Sequence, residues 1–206
     1  ATLQSSAYSG KNFWMTEVAN IWDALPEIAQ GAAATLVWDG YDSVYNHAIL
    51  AGRGTTPPND AGNGPPLLDY DTNTGIYAPR KAFYEHLQLF RAVEPGARRI
   101  AAAMSNADVD VLAFQHPSTN RITIVGRHAG SGTATVQGSL VNLPVISSLQ
   151  FYLTDASFNA QKMADVPVSG NAFTVTVSDG STFTLTPTRA SPPGCMGSAP
   201  HALWGR

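Results

Sequence analysis

The chain has 206 residues, room for one large domain or two small ones. Lys plus Arg number 12 against 15 Asp plus Glu, a formal charge of −3, so the basic excess that phosphate recognition needs is missing, which argues against a nucleic-acid partner. Hydrophobic residues are 44% and charged ones 13%, which excludes a disordered chain, and no apolar run approaches the ~20 residues of a bilayer span.

The 18 Gly and 14 Pro favour turns and loops over a helical bundle. One cysteine, Cys195, excludes an internal disulfide and any multi-cysteine zinc site. Ala1–Ser9 carries no basic start, apolar centre or cleavage pattern of a secretory leader.

Taken in order, Phe13–Val18 is a short aromatic and β-branched run after Gly10 and reads as a strand. Ile21–Gln30 is helix-like, with Ile21, Leu25, Ile28 and Ala29 near helical spacing. Pro26 either kinks this helix or starts it, and Gly31 can end it. Ala33–Trp38 is a second strand without polar alternation, the habit of a strand buried on both faces in a parallel sheet. From Asp39 to about Gly75 the chain is rich in Gly and Pro and reads as a long irregular loop. Tyr77–Val93 reads as a helix with Phe83, Tyr84, Leu87 and Phe90 on its apolar side, stopped by Pro95–Gly96.

Beyond Arg99 the period changes to two. Val109, Val111 and Ala113 face one way, as do Ile122, Ile124 and Gly126 in the next run. Thr133–Ser139, Leu149–Thr154, Lys162–Val168, Ala172–Ser178 and Thr182–Pro187 continue the series. Turn signals at Ser118–Asn120, Gly130–Gly132, Ser169–Asn171 and Asp179–Gly180 separate them. Such spacing predicts an antiparallel sandwich or barrel. The tail from Ala190 is Pro-, Gly- and Ser-rich and reads as loose.

The order is therefore β-α-β, long loop, α, then strands alone. Two parallel strands cannot cover both of their faces. Residues 1–98 are thus expected to be the last units of a larger α/β fold whose other units are missing or belong to another chain. Residues 99–188 are expected to form a β-sandwich, and 189–206 a flexible tail.

Two strand ends carry the chemistry. Glu17 closes an apolar strand, and a buried carboxylate is costly unless paired, so it sits at a wet end or in a prepared site. Active sites of parallel α/β barrels lie at the carboxyl ends of the strands; the plain alternative is a glutamate marking a strand-to-loop boundary. Trp38 ends the next strand, either as a core residue or as a flat face for a sugar ring beside a carboxylate. Asp39 and Asp42 fit an ordinary turn around Gly40. Tyr41, Tyr45 and His47 follow, as loop anchors or as the lining of sugar subsites.

Other residues carry less. The five histidines, His47, His86, His116, His128 and His201, show no metal-ligand spacing, and His86 reads as a surface or packing residue. Gly52-Arg53-Gly54 lacks the strand and helix of a phosphate-binding loop. Asp69, Asp71 and Asn73 alternate as calcium ligands can, but lack the glycine and terminal glutamate of that loop, so a polar turn is expected. Glu27, Glu85 and Glu94 read as solvated helix charges, and no cofactor is expected.

Trp14-Met15-Thr16-Glu17 resembles the seventh-strand signature of retaining glycoside hydrolases of the large (β/α)8 clan, and Ala34-Thr35-Leu36-Val37-Trp38 resembles its eighth strand. Ala82-Phe83-Tyr84 through Phe90, then Glu94-Pro95-Gly96-Ala97-Arg98-Arg99-Ile100, is similar to the last barrel helix and its exit into a side β-sandwich in glycoside hydrolase family 30. The chain departs from that form at Arg91-Ala92-Val93-Glu94, and family 5 enzymes with appended sandwiches match second. The resemblance spans roughly residues 10–187. It implies the last βα units of a (β/α)8 barrel followed by an antiparallel β-sandwich, with Glu17 as nucleophile; Trp38, Tyr41 and Tyr45, at and after the eighth strand, are the substrate-binding candidates.

Retaining enzymes place a second carboxyl group ~5–5.5 Å away as acid/base. In the clan that glutamate ends the fourth strand, which this chain lacks, so no acid/base residue is assigned.

The implied activity is retaining hydrolysis of β-glycosidic bonds in a polysaccharide, with a secreted setting following from the substrate and no membrane partner. The missing barrel segment would be a second chain if the protein is a processed product. The alternative is a carbohydrate-binding or structural β-sandwich without activity of its own. There Phe114, Phe151, Tyr152, Phe158, Phe173 and Phe183 mostly fall on alternating positions, which favours a core role over a sugar platform.

Overall fold

The computed structural model describes residues 12–18, 20–37, 40, 67–71, 74 and 76–187. Trp38, Tyr41, Tyr45, His47, Gly52-Arg53-Gly54 and the tail with Cys195 and His201 lie outside the described residues.

β1 (Trp14–Val18) and β2 (Ala34–Val37) form a parallel pair, joined by α1 (Ile21–Ala29). Asn20 starts α1. Its Oδ1 accepts from the Asp23 backbone N–H at 3.0 Å while its Nδ2 donates to the Asp23 carboxylate at 3.0 Å. Two groups at the helix start are thereby satisfied reciprocally. Gly31, at φ 105°, ends the last turn, where a side chain would be strained. Pro26 lies inside the helix rather than at its start. Ile21, Ala24 and Leu25 are buried, whereas Ala29 is exposed.

The stretch read as one long loop ends in β3 (Leu68–Asp71), which forms an antiparallel hairpin with β4 (Ile76–Pro79), Tyr70 opposite Tyr77. Asp69 and Asp71 thus lie on a strand and not in a turn. Tyr77, expected to open a helix, is in β4, and α2 runs only over Lys81–Phe90. Its buried side is also not the expected one. Ala82, Glu85, His86, Gln88 and Leu89 are buried, while Phe90 is 49% exposed. The reason is double coverage. Tyr84 and Gln88 meet a sheet through hydrogen bonds, Leu89 meets α1 and β1 in a core, and Glu85 falls on the arc between.

β5 (Arg98–Ile100), β6 (Val109–Gln115), β7 (Ile122–His128), β8 (Ala134–Ser139), β9 (Ser148–Thr154), β10 (Gln161–Lys162), β11 (Val166–Pro167), β12 (Ala172–Val177) and β13 (Thr182–Pro187) complete the fold. The expected strand Lys162–Val168 is two short ones, interrupted by residues 163–165. One sheet runs β10-β9-β13-β7-β6-β5 with β11 also on β9, and β8 pairs with β12. Gly170 and Asn171 both take positive φ, 58° and 64°, the geometry of a tight two-residue hairpin turn into β12.

The two sheets enclose one core. Val109, Ala113, Ile122, Ile124, Leu149, Phe151, Leu153, Phe183 and Leu185 of the large sheet meet Ala134, Val136, Phe173, Val175 and Val177 of the small one. Twice a phenylalanine covers a glycine directly across the ladder. Phe183 lies opposite Gly126, and Phe173 opposite Gly138; a Cβ added at either glycine would come within 2.3 and 2.1 Å of the ring. The aromatic fills the place a side chain would take.

The other face of β6 and β7 is also apolar. Leu112, Phe114 and Val125 pack with Val18, Ile21, Ala24, Leu25 and Leu89 in a second core, which docks β1 and both helices on the sheet. Against β9 and β13 the contact is polar instead. Gln88 donates to Thr154 Oγ1 at 2.9 Å, Thr184 donates to the Gln88 carbonyl at 2.9 Å, and Lys81 donates to the Asp155 carbonyl at 2.6 Å.

Candidate functional site

Glu17 is exposed at the carboxyl end of β1. The ladder pairs Trp14 with Ala34 and Met15 with Thr35, then jumps to Val18 with Val37. Thr16 and Glu17 together therefore oppose Leu36, a bulge of one extra residue. Bulges re-aim side chains and are frequent beside active sites. The cap at Asn20 and the Val18 and Ile21 anchors, 2% and 0% exposed, then hold the short segment after Glu17 onto the core. Because β1 and β2 are parallel, both carboxyl ends lie on one side. An accessible carboxylate there is placed to attack, or take a proton from, a ligand lying over the strand ends. Glu17 makes no hydrogen bond or ion pair among the described residues.

Two of the other glutamates, Glu85 and Glu94, differ from the solvated charges expected of them. Glu85 is 6% exposed, and burial pushes its carboxyl up to about 7 against the pull of Lys81. Glu94 is half-buried and pairs with Arg121 at 2.6 Å. His86, next to Glu85 on α2, is 1% exposed, a packing histidine and not a surface one. Its Nδ1 lies 2.8 Å from the Ala82 carbonyl, which can only accept, so that nitrogen carries the proton. Burial lowers its pKa against the effect of that bond, and Nε2 finds no partner among the described residues.

Asp155 is a hydrogen-bonded hub. Burial works to raise its pKa, but hydrogen bonds from Ser178 and from the Phe158 and Ser157 amides, with Lys81 nearby, outweigh it and hold the carboxyl below its usual value. Its Oδ1 accepts both amides at 2.8 Å, which folds the β9–β10 turn. Among the described residues no three His, Cys, Asp or Glu side chains cluster as metal ligands. No helix there is long and apolar enough to cross a membrane.

Sequence alone does not single out Asn20, Arg127 or Asp155, and it reads the buried Glu85 as a solvated charge. Asn20-Ile21-Trp22-Asp23 has the spacing of a helix start and was findable. The other three depend on contacts between segments far apart in the chain. Of the sandwich aromatics, Phe114, Phe151, Phe173 and Phe183 are core residues, whereas Phe158 is 37% exposed and Tyr152 is half-buried.

No protein-family model matches the sequence. The fold is similar to that of a GH30 endoxylanase from Clostridium papyrosolvens, at 24% identity and TM-score 0.65 over 91% of this chain and 44% of that one. A glycoside hydrolase family 30 subfamily 8 xylanase from Clostridium acetobutylicum aligns at 19% identity and TM-score 0.64, over 86% of this chain and 43% of that one. A family 44 xyloglucanase from Paenibacillus polymyxa aligns at 15% and TM-score 0.53, over 91% and 34%. The chain spans less than half the length of these structures, and its fold, mostly β with few helices, is the one found in part of each.

Proposed function

We propose that this chain is the C-terminal portion of a retaining glycoside hydrolase that cleaves β-glycosidic bonds in a polysaccharide, with Glu17 as nucleophile. The observation that carries the reading is the exposed carboxylate of Glu17 in a bulge at the carboxyl end of a parallel strand. The likeness to xylanases and a xyloglucanase supports it. On this reading residues 1–98 are the closing units of a (β/α)8 barrel, 99–188 a side β-sandwich and 189–206 a tail. Trp38, Tyr41 and Tyr45 line the sugar cleft.

Glu17 attacks the anomeric carbon as the leaving oxygen takes a proton from a second carboxyl group. Water then releases the glycosyl-enzyme. The acid/base belongs to the earlier part of the barrel, in the same polypeptide or a second chain. Exposed Trp14 (61%), Leu36 (48%) and Phe90 (49%) mark where that part packs. A polysaccharide substrate places the enzyme outside the cell.

The test is Glu17→Gln in the assembled enzyme. Hydrolysis should fall by on the order of 10^3-fold or more, and a slow fluoroglycoside should label the peptide containing residue 17 in the unmutated enzyme. Activity near that of the unmutated enzyme, or a label elsewhere, removes Glu17 from the mechanism.

A further inference from the structure

A cleft of about 300 Å³ runs between the end of α2 and the outward face of β9 and β13, remote in sequence from Glu17. Its floor is a pair of cross-strand rungs, Tyr152 opposite Thr184 and Gln150 opposite Thr186. Gln88 and Arg91 form the helix wall and Arg121 closes one end. Most of the polar face here is already satisfied. Arg121 is held by Glu94 at 2.6 Å and by Thr186 Oγ1 at 3.1 Å, and Gln88 is held by Thr154 and Thr184.

Three side chains are the exception. Arg91, Gln150 and the Tyr152 hydroxyl make no hydrogen bond among the described residues, and all three line the cleft. A flat ring with a polar tip, an amide and a guanidinium form a set with one apolar face and several in-plane donors and acceptors. That is what a sugar ring presents in reverse: C–H faces and equatorial hydroxyls. The cleft lies at the lower end of ligand-pocket sizes, enough for one or two sugar rings. With Arg121 offset by Glu94, the net charge is the single positive charge of Arg91, which neutral and acidic saccharides both tolerate.

We propose that the cleft between α2 and β9/β13 is an auxiliary saccharide-binding site, with Tyr152 as platform and Arg91 and Gln150 as hydroxyl partners. Naming a polysaccharide as the source of the saccharide rests on the proposed function. The site would hold a stretch of the chain being cleaved, away from the barrel mouth. With so few contacts its Kd is on the order of 1 mM.

The test is an NMR titration of the 206-residue chain with a β-1,4-xylan hexamer and, separately, a β-1,4-glucan hexamer. Shifts should centre on Arg91, Gln150, Tyr152 and Thr186 with at least one probe. Arg91→Ala and Gln150→Ala, at side chains that are exposed and half-buried, should each weaken binding at least fivefold, while Glu17→Gln leaves it intact. Tyr152→Phe, which keeps the floor packed, separates loss of the hydroxyl from loss of folding. No shift with either probe at about 10 mM, shifts confined to the Glu17 end, or shifts that survive both alanine variants would overturn the site. None of those results bears on Glu17, whose role is judged by hydrolysis in Glu17→Gln.

Discussion

The strands after residue 100 and the βαβ unit before it obey different rules. In the strand region the side chains between the two sheets are sealed: Leu149, Val177, Phe183 and Leu185 are all 0% exposed, and the exposed Val141, Val145 and Phe158 lie in loops. In the βαβ unit and its neighbouring hairpin and helix, one side is sealed and the other is open, with Trp14, Leu36, Ile76, Tyr77 and Phe90 between 48% and 63% exposed. The lesson is where each part finds its partner. Antiparallel strands close a core among themselves, whereas a parallel pair borrows one face from β6 and β7 and leaves the other for elements outside it.

The sharpest way to break this contrast is to remove one phenylalanine from each part. Phe183→Ala deletes a fully buried ring that also covers Gly126, and the glycine has no side chain to fill the gap. A loss of ~3–5 kcal/mol is expected from denaturant unfolding. Phe90→Ala removes a half-exposed ring and should cost under ~1 kcal/mol in this chain. Comparable losses at the two sites would mean that the α2 surface is not open.

The helix between the two parts gives the next effect. Glu85 is neutral when protonated and costly when charged, with a folded pKa raised from 4.5 to about 7. A raised folded value means that the native state binds the proton more tightly than the unfolded chain. The group's contribution is therefore full below about pH 4.5 and is lost as pH rises through 7. Glu85→Gln should remove that slope and raise stability at pH 8 by at most ~3 kcal/mol. Asp155 acts oppositely: its depressed value stabilises the fold above the usual carboxylate range and is lost in stronger acid. A Glu85→Gln protein with an unchanged pH–stability curve between 4.5 and 7 would show that Glu85 is solvated after all.

Period and turn chemistry make the all-β region legible. Alternation in Val109–Gln115 and the Asn/Gly turns identify the strands because each feature is local. The parallel pair and the Glu17 strand end are legible for the same reason. The α2 helix is misread because its pattern of Phe83, Leu87 and Phe90 marks a less buried side, while the buried arc carries Glu85, His86 and Gln88. Of those polar groups Gln88 is satisfied by Thr154 and Thr184, 66 and 96 positions further on. No local rule exposes such pairing. The hairpin β3–β4 is hidden by the Pro- and Gly-rich composition around it, although Tyr70, Ile76 and Tyr77 are good strand formers.

The smallest effect tests how the two parts are joined. Pro26 has no N–H, so the Trp22 carbonyl four residues before it lacks its helical donor. Arg127 of β7 supplies one, donating to that carbonyl at 3.2 Å. The same guanidinium lies 4.6 Å from the centre of the Trp22 ring and donates to Asp110 at 2.7 Å. A helix defect in one part is thereby filled by a cation from the other. Arg127→Met should cost ~1–2 kcal/mol, from a charged hydrogen bond and a partly exposed cation–π contact. Asp110, 54% exposed, stays hydrated and adds little. Pro26→Ala restores the backbone donor, so Arg127→Met in that background should cost about 1 kcal/mol less than it does alone. Equal costs in the two backgrounds, measured as a double-mutant cycle by urea unfolding, would mean that Arg127 grips only the ring and that the carbonyl left open by Pro26 plays no part in holding α1 to the sheet.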